Sequence, residues 1–192
     1  MIEQKISNLT GKILIASPYT MENNMFYQSL VYVVYHSTEG SVGFIINRPV
    51  TNEISLKDLL QKIDSNIDLN LLNLEVLVGG PLDLERGFFL HSAEYNKNLL
   101  FKPKNSELAV SSNTEIIKDI STGDGPKSNI FAIGYTGWTA GQIEHEIQNN
   151  LWVVSEGDKN LIFRVKTNSK WAKAFTNLGI DSYDFTPHLG NC

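Results

Sequence analysis

Apolar residues along the chain fall into short runs separated by polar, glycine- and proline-rich connections. KILIAS (12–17) reads as a strand that stops at Pro18. SLVYVVYH (29–36) is β-branched and aromatic, the composition of a central strand. STEG (37–40) turns the chain into SVGFIINR (41–48), which completes a hairpin. Pro49 ends it, because proline has no N–H for the ladder. LEVLV (74–78), RGFFLHS (86–92), ELAVS (107–111), IFAIGY (130–135), LWVVSE (151–156) and LIFRV (161–165) are the remaining strand candidates.

Helical periodicity is rarer. Leu56, Leu59, Leu60 and Ile63 share one face behind an N-cap at Ser55, with Asp58 three residues on. A polar linker follows (64–73). Ser112 and Glu115 have capping-box spacing and predict a helix to about Ile120, before the turn residues of 121–129. Thr139 and Gln142 repeat that spacing and place a helix start near Ala140, with Ile143 and Ile147 facing the core. NSKWAKAFTNLG (168–179) predicts a helix with Trp171, Phe175 and Leu178 inward and Gly179 as its left-handed stop. Strands outnumber helices and hairpins are frequent, so the expected class is α+β with a mixed sheet, in a single domain spanning 1–192.

Composition narrows the function classes. Sixteen Lys and Arg against 21 Asp and Glu leave a net charge of −5. DNA binding draws on basic side chains that neutralise phosphates. The nearest cluster here, Lys97, Lys102 and Lys104, reads as a solvated loop. Direct nucleic-acid binding is therefore not expected. The one cysteine, Cys192, cannot form an internal disulfide. The N-terminus lacks signal-peptide character, and LVYVVY (30–35) is far short of the roughly 20 residues a membrane helix needs. A cytoplasmic protein without a membrane association is expected.

Two segments carry candidate chemistry. In GYTGWTAGQIEHEI (134–147) a strand end, a glycine-punctuated turn and a helix start follow one another. That geometry can hold an anion on free N–H groups. Gly134, Thr136, Gly137, Trp138, Gly141, Gln142 and Glu144 are its candidates. Turn chemistry alone is the leading reading of the glycines, and Trp138 either caps a cleft or packs on the sheet. In VGGPLDLERGFFLHS (78–92) the candidates are Gly79, Gly80, Pro81, Arg86, Gly87 and His91. Arg86 can hold a carboxylate or phosphate, or pair with Asp83 or Glu85 beside it. His91 reads as a satisfied structural histidine or an acid–base group. No G-x-S-x-G or H-E-x-x-H motif occurs, and His36, His91, His145 and His188 are scattered. No catalytic residue, metal or cofactor is assigned.

LIASP, SLVYVVYHSTEGSVGFIINRP, VGGPLDLERGFFLHS, GDGPKSNIFAIGYTGWTAGQIEHEIQNNLW and a Trp followed by LGID together resemble the AlgH/YqgE family of uncharacterised bacterial proteins, over about residues 11–190. The resemblance implies a bifurcated mixed sheet folded into a pseudo-barrel with flanking helices. It implies no mechanism; some relatives carry a transcriptional-regulator label. The matching segments include Gly79-Gly80-Pro81, Arg86-Gly87, Asn47-Arg48-Pro49 and Gly134–Gln142 with Glu144. The chain departs from the family pattern at Asn23-Asn24-Met25 before Phe26, at Gln28, and at Gly190-Asn191-Cys192.

The leading expectation is a binding or regulatory protein without catalysis, with a protein or small-molecule partner and an indirect effect on transcription. The alternative is an enzyme or sensor for a small anionic metabolite, in a cleft shared by the 79–87 and 134–142 turns. There Arg86 and the helix start would hold the anion, and Glu144 or His91 would move the proton. It requires both turns to meet in space.

Overall fold

In a computed structural model, residues 8–18, 24–50, 75–104 and 106–180 are described. The helix expected from Ser55, the linker after it, and the chain from Asp181 onward lie outside the described residues, as does Asn23. Among the described residues the apolar runs form eight strands: β1 (Lys12–Ala16), β2 (Leu30–Ser37), β3 (Gly40–Ile45), β4 (Val76–Val78), β5 (Leu82–Ser92), β6 (Leu108–Ser111), β7 (Asn129–Thr139) and β8 (Trp152–Glu156). Four α-helices accompany them among the described residues: α1 (Glu115–Thr122), α2 (Gln142–Gln148), α3 (Lys159–Phe163) and α4 (Lys170–Asn177). The architecture is α+β, as expected.

The strands run in the order β6-β5-β7-β3-β2-β1-β8, all antiparallel, and β4 lies parallel to β7 off this path. The sheet forks at β7. One edge of β7 pairs with β4 over Phe131–Ile133 and then with β3 over Thr136–Thr139. The bifurcation is therefore present, but the sheet is not closed into a barrel: β6 and β8 end the path and do not pair with each other.

The fork explains two glycines. The Gly79 N–H donates to the Ile133 carbonyl and its own carbonyl accepts from the Ile45 N–H, both at 2.8 Å. The chain thus crosses from β4 toward β3 in contact with β7. A Cβ on Gly79 would overlap the Gly134 carbonyl oxygen, so no side chain fits. Gly134, at φ 68°, resets the alternation of β7. Ala132 and Tyr135, three positions apart, pack on the same core.

The two sheet faces bury different cores. Leu30, Tyr32 and Val34 of β2 join Phe44, Phe88, Leu90 and Val110 on one face, covered by Leu161 and Ile162 of α3 and Trp171 and Phe175 of α4. Val31 and Val33 point the other way, to Trp138, Trp152 and Ile143 of α2. Phe89, Phe131 and Ile133 form a third cluster with Ile116 and Ile117 of α1. Asn47 ties the hairpin end to the preceding turn: it accepts from the Leu30 N–H at 2.7 Å and donates to the Gln28 carbonyl at 2.8 Å.

Several local expectations are corrected. LIFRV forms no strand; Leu161–Phe163 belong to α3. The Asp158 side chain caps that helix by accepting from the Asn160 N–H at 2.8 Å, and Leu161 and Ile162 are both buried. The turn expected around Trp138 is strand, because β7 runs on to Thr139 to pair with β3. The Ser112–Glu115 box does not form. Asn113 accepts from the Ile116 N–H at 3.1 Å, while Glu115 takes an amide N–H of Asn98. Leu178, expected inward, lies past the last turn of α4 and is 39% exposed.

Candidate functional site

The two glycine-bearing segments do meet. Pro81 and Leu82 face Thr136, Gly137, Trp138 and Gln142 across a cleft of about 210 Å³. Hydrogen bonds of β5 to β7 set this: Leu82 lies opposite Tyr135 at the fork. Gln142 is placed by half of the expected capping box. Its side-chain oxygen accepts from the Thr139 N–H at 3.0 Å and from the Thr139 hydroxyl at 3.1 Å. The reciprocal bond is absent, and Gly141, with φ 74°, stands at the N-cap in place of Thr139.

The polar end of the cleft is Glu146, which the sequence reading did not single out. Its Oε2 accepts from the indole N–H of Trp138 at 2.8 Å and of Trp152 at 2.7 Å. Its Oε1 accepts from the Gln142 amide at 3.0 Å. The four-residue spacing of Gln142 and Glu146 was legible as one helix face; the convergence of two tryptophans from different strands was not. Trp138 itself is 6% exposed and both packs on the sheet and borders the cleft.

Other candidates lie elsewhere. Gly80 is buried in the fork, and Gly87 packs against the Phe131 ring. Glu144 turns toward His36, 3.6 Å from its Nε2. His91 is fully buried, with Nδ1 3.0 Å from the Ser92 carbonyl and Nε2 3.0 Å from the Ser111 hydroxyl. A carbonyl can only accept, so Nδ1 carries the proton and Nε2 accepts. Burial holds the ring below the ordinary histidine range, more strongly than the Ser92 bond and Glu94 raise it. His91 is thus a neutral structural link between β5 and β6.

Arg86 is on the opposite sheet face from Trp138. Between Leu82 and Gly87 the register with β7 slips, and residues 83–86 bulge outward, with Asp83 at φ 54°. The bulge carries Arg86 to an apolar groove of about 450 Å³ lined by Val42, Phe44, Phe88, Phe101 and Val110. Tyr35 and Leu100 are also in its lining and are 41% and 50% exposed. The Arg86 guanidinium lies 5.3 Å from the Phe88 ring centroid and donates to the Ser112 hydroxyl at 3.0 Å. It forms no ion pair with Asp83 or Glu85, its expected partners, although Asp83 lines the same groove; among the described residues no carboxylate oxygen lies within 4.0 Å of it.

Lys170 is a further charged group the sequence did not mark. It is 3% exposed and donates to the Ile46 carbonyl at 2.8 Å. Burial pushes its amine down to about 8, against the pull of Glu75. Among the described residues no three His, Cys, Asp or Glu side chains are arranged to hold a metal ion, and no helix is long and apolar enough to cross a membrane.

Known proteins with this pattern agree with the fold. The AlgH-like family model matches residues 13–183. A UPF0301 protein of Rickettsia canadensis is 44% identical over 191 residues, covering 100% of both chains. Another, from Rickettsia felis, is 44% identical over 184 residues and 96% of each chain. The solution structure of the AlgH protein from Pseudomonas aeruginosa superposes with a TM-score of 0.76 at 28% identity, over the full length of both. A crystal structure of a Corynebacterium diphtheriae protein, at 17% identity and TM-score 0.65, shares the fold over 92% of this chain and 90% of its own. None of these names states a reaction or a ligand. With the family pattern matched along most of the sequence and relatives aligned end to end, the chain belongs to the AlgH-like family.

Proposed function

We propose that this cytoplasmic protein acts by binding rather than catalysis, and that its ligand is a small apolar molecule with one anionic group, seated in the Arg86 groove. The observation that carries the reading is a guanidinium that, among the described residues, makes no ion pair, beside an aromatic, open groove. Ligand sites of about 300–1,000 Å³ are mostly apolar with a few placed polar groups, and this groove has that make-up. A charged head would exchange water for Arg86 and the Ser112 hydroxyl, and an aryl or branched body would cover Phe88 and Phe101.

Aryl-alkyl carboxylates and their neutral amides are suitable probes in thermal unfolding. Saturation at about 100 times Kd adds roughly 2.7 kcal/mol. The carboxylates are expected to raise Tm in the wild type and not in Arg86→Ala, and the amides to have little effect. Equal shifts with amides, or none with any carboxylate, would overturn the reading.

Any effect on transcription then passes through a ligand or protein partner. The net charge of −5 supports an indirect route. Retention of duplex DNA in a gel, weakening steeply with salt, would contradict it. The enzyme alternative between the two glycine segments lacks its anion handle, since Arg86 serves the other face.

A further inference from the structure

The cleft where the two glycine segments meet has the opposite electrostatic sign from the one expected of it. We propose that it is a binding site for a small organic cation, an alkylated or methylated ammonium group, held by Glu146 and the aromatic rings beside it. This rests on the other face of the sheet and is independent of the Arg86 groove.

Three observations converge. First, Glu146 accepts from three neutral N–H groups and, among the described residues, no Lys, Arg or His lies within ion-pair distance of it. Neutral dipoles orient the carboxylate but leave its unit charge uncompensated. Second, the surroundings suit a cation. Trp138 and Phe26 line the cleft. Phe26 packs edge-on against Trp152 at 5.6 Å, and Trp152 against Trp138 at 6.2 Å. Both indoles direct their positive N–H edge at the carboxylate. Donation to an anion enriches the ring in electron density, which strengthens attraction of a cation to the ring face. Third, size and wall chemistry select the class. About 210 Å³ bounded by Pro81, Leu82 and Leu151 accepts a head group with methyl substituents. A hard metal ion requires several oxygen ligands, and one carboxylate already engaged by three donors does not supply them. An anion meets Glu146 directly and is repelled.

The test uses the indole N–H resonances of the full chain. It has three tryptophans. Trp138 and Trp152 donate to Glu146, while Trp171 donates to the Ala16 carbonyl at 3.0 Å and serves as the internal reference. Tetramethylammonium and ethylammonium chloride are titrated against sodium chloride at equal ionic strength, and against a neutral alcohol matched in shape. Saturable shifts of the Trp138 and Trp152 signals, with Trp171 unmoved, are expected for the ammonium ions alone. Glu146→Gln, which retains an acceptor but no charge, should weaken binding at least about tenfold, or 1.4 kcal/mol. Leu82→Lys, at a position 43% exposed on the cleft wall, keeps the Glu146 network intact and should compete with the ligand. Absence of a saturable shift with either ammonium ion would overturn the proposal. So would equal response to the neutral alcohol, or unchanged affinity in Glu146→Gln and Leu82→Lys together; the three bonds to Glu146 would then only tie α2 to β7 and β8.

Discussion

Two indole N–H groups converge on one oxygen of Glu146, from Trp138 at 2.8 Å and Trp152 at 2.7 Å. Both tryptophans are buried, so each N–H depends on that oxygen. A buried donor left without an acceptor costs about 1–3 kcal/mol. Glu146→Ala should therefore destabilise the protein by about 2–6 kcal/mol, for two orphaned donors. Glu146→Gln should cost appreciably less, because its carbonyl oxygen can still accept. Urea unfolding of the two variants checks this; equal losses would show that charge, rather than acceptance, matters. At the same scale, His91 meets its structural expectation and Arg86 departs from its local one. The histidine is locked into a neutral pair of hydrogen bonds, and the arginine expected to pair locally makes no ion pair among the described residues.

Among the elements, α3 and β7 depart furthest from their local signals. LIFRV has the composition of a strand, and short apolar runs do not separate strand from buried helix by periodicity. Asp158 decides it by capping the turn, and Leu161 and Ile162 gain a shared core with α4. Asp158→Ala should cost about 1 kcal/mol, with Asp158→Asn near neutral, since asparagine also caps. Thermal unfolding of both variants measures it, and a wild-type Tm for Asp158→Ala would count against the cap. In β7, glycines that read as a turn serve a strand that must pass a fork. The glycines mark close backbone approach, a requirement that resembles turn chemistry in sequence.

At the scale of the whole molecule, α4 is fastened across the core by Lys170, whose amine reaches the Ile46 carbonyl, and by the Trp171 indole on Ala16. Burial depresses Lys170 from 10.5 to about 8. Between these values the unfolded chain holds a proton that the folded one has released, so this group makes stability rise with pH from about 8 toward 10.5. The full rise is up to about 3 kcal/mol. Urea unfolding of wild type and Lys170→Met across that window should show the wild-type advantage growing with pH. A constant difference would mean that Lys170 titrates normally.

Periodicity and composition determined the α+β class, the β2–β3 hairpin, and the Trp171 and Phe175 face of α4 with its glycine stop, while the resemblance of whole motif segments pointed to the family. Each depends on neighbours in sequence: alternation, a 3.6-residue repeat, a turn residue at its place. Tertiary structure alone decided which candidates stand together. A bulge at 83–86 and the reset at Gly134 change side-chain parity, and one residue of slip sends every following side chain to the other face. That is why Leu82 borders the Trp138 cleft and Arg86, four residues on, serves the opposite groove. It is also why the cleft ends in the carboxylate of Glu146, a sign set by the meeting of β7, α2 and β8 and written in none of them separately.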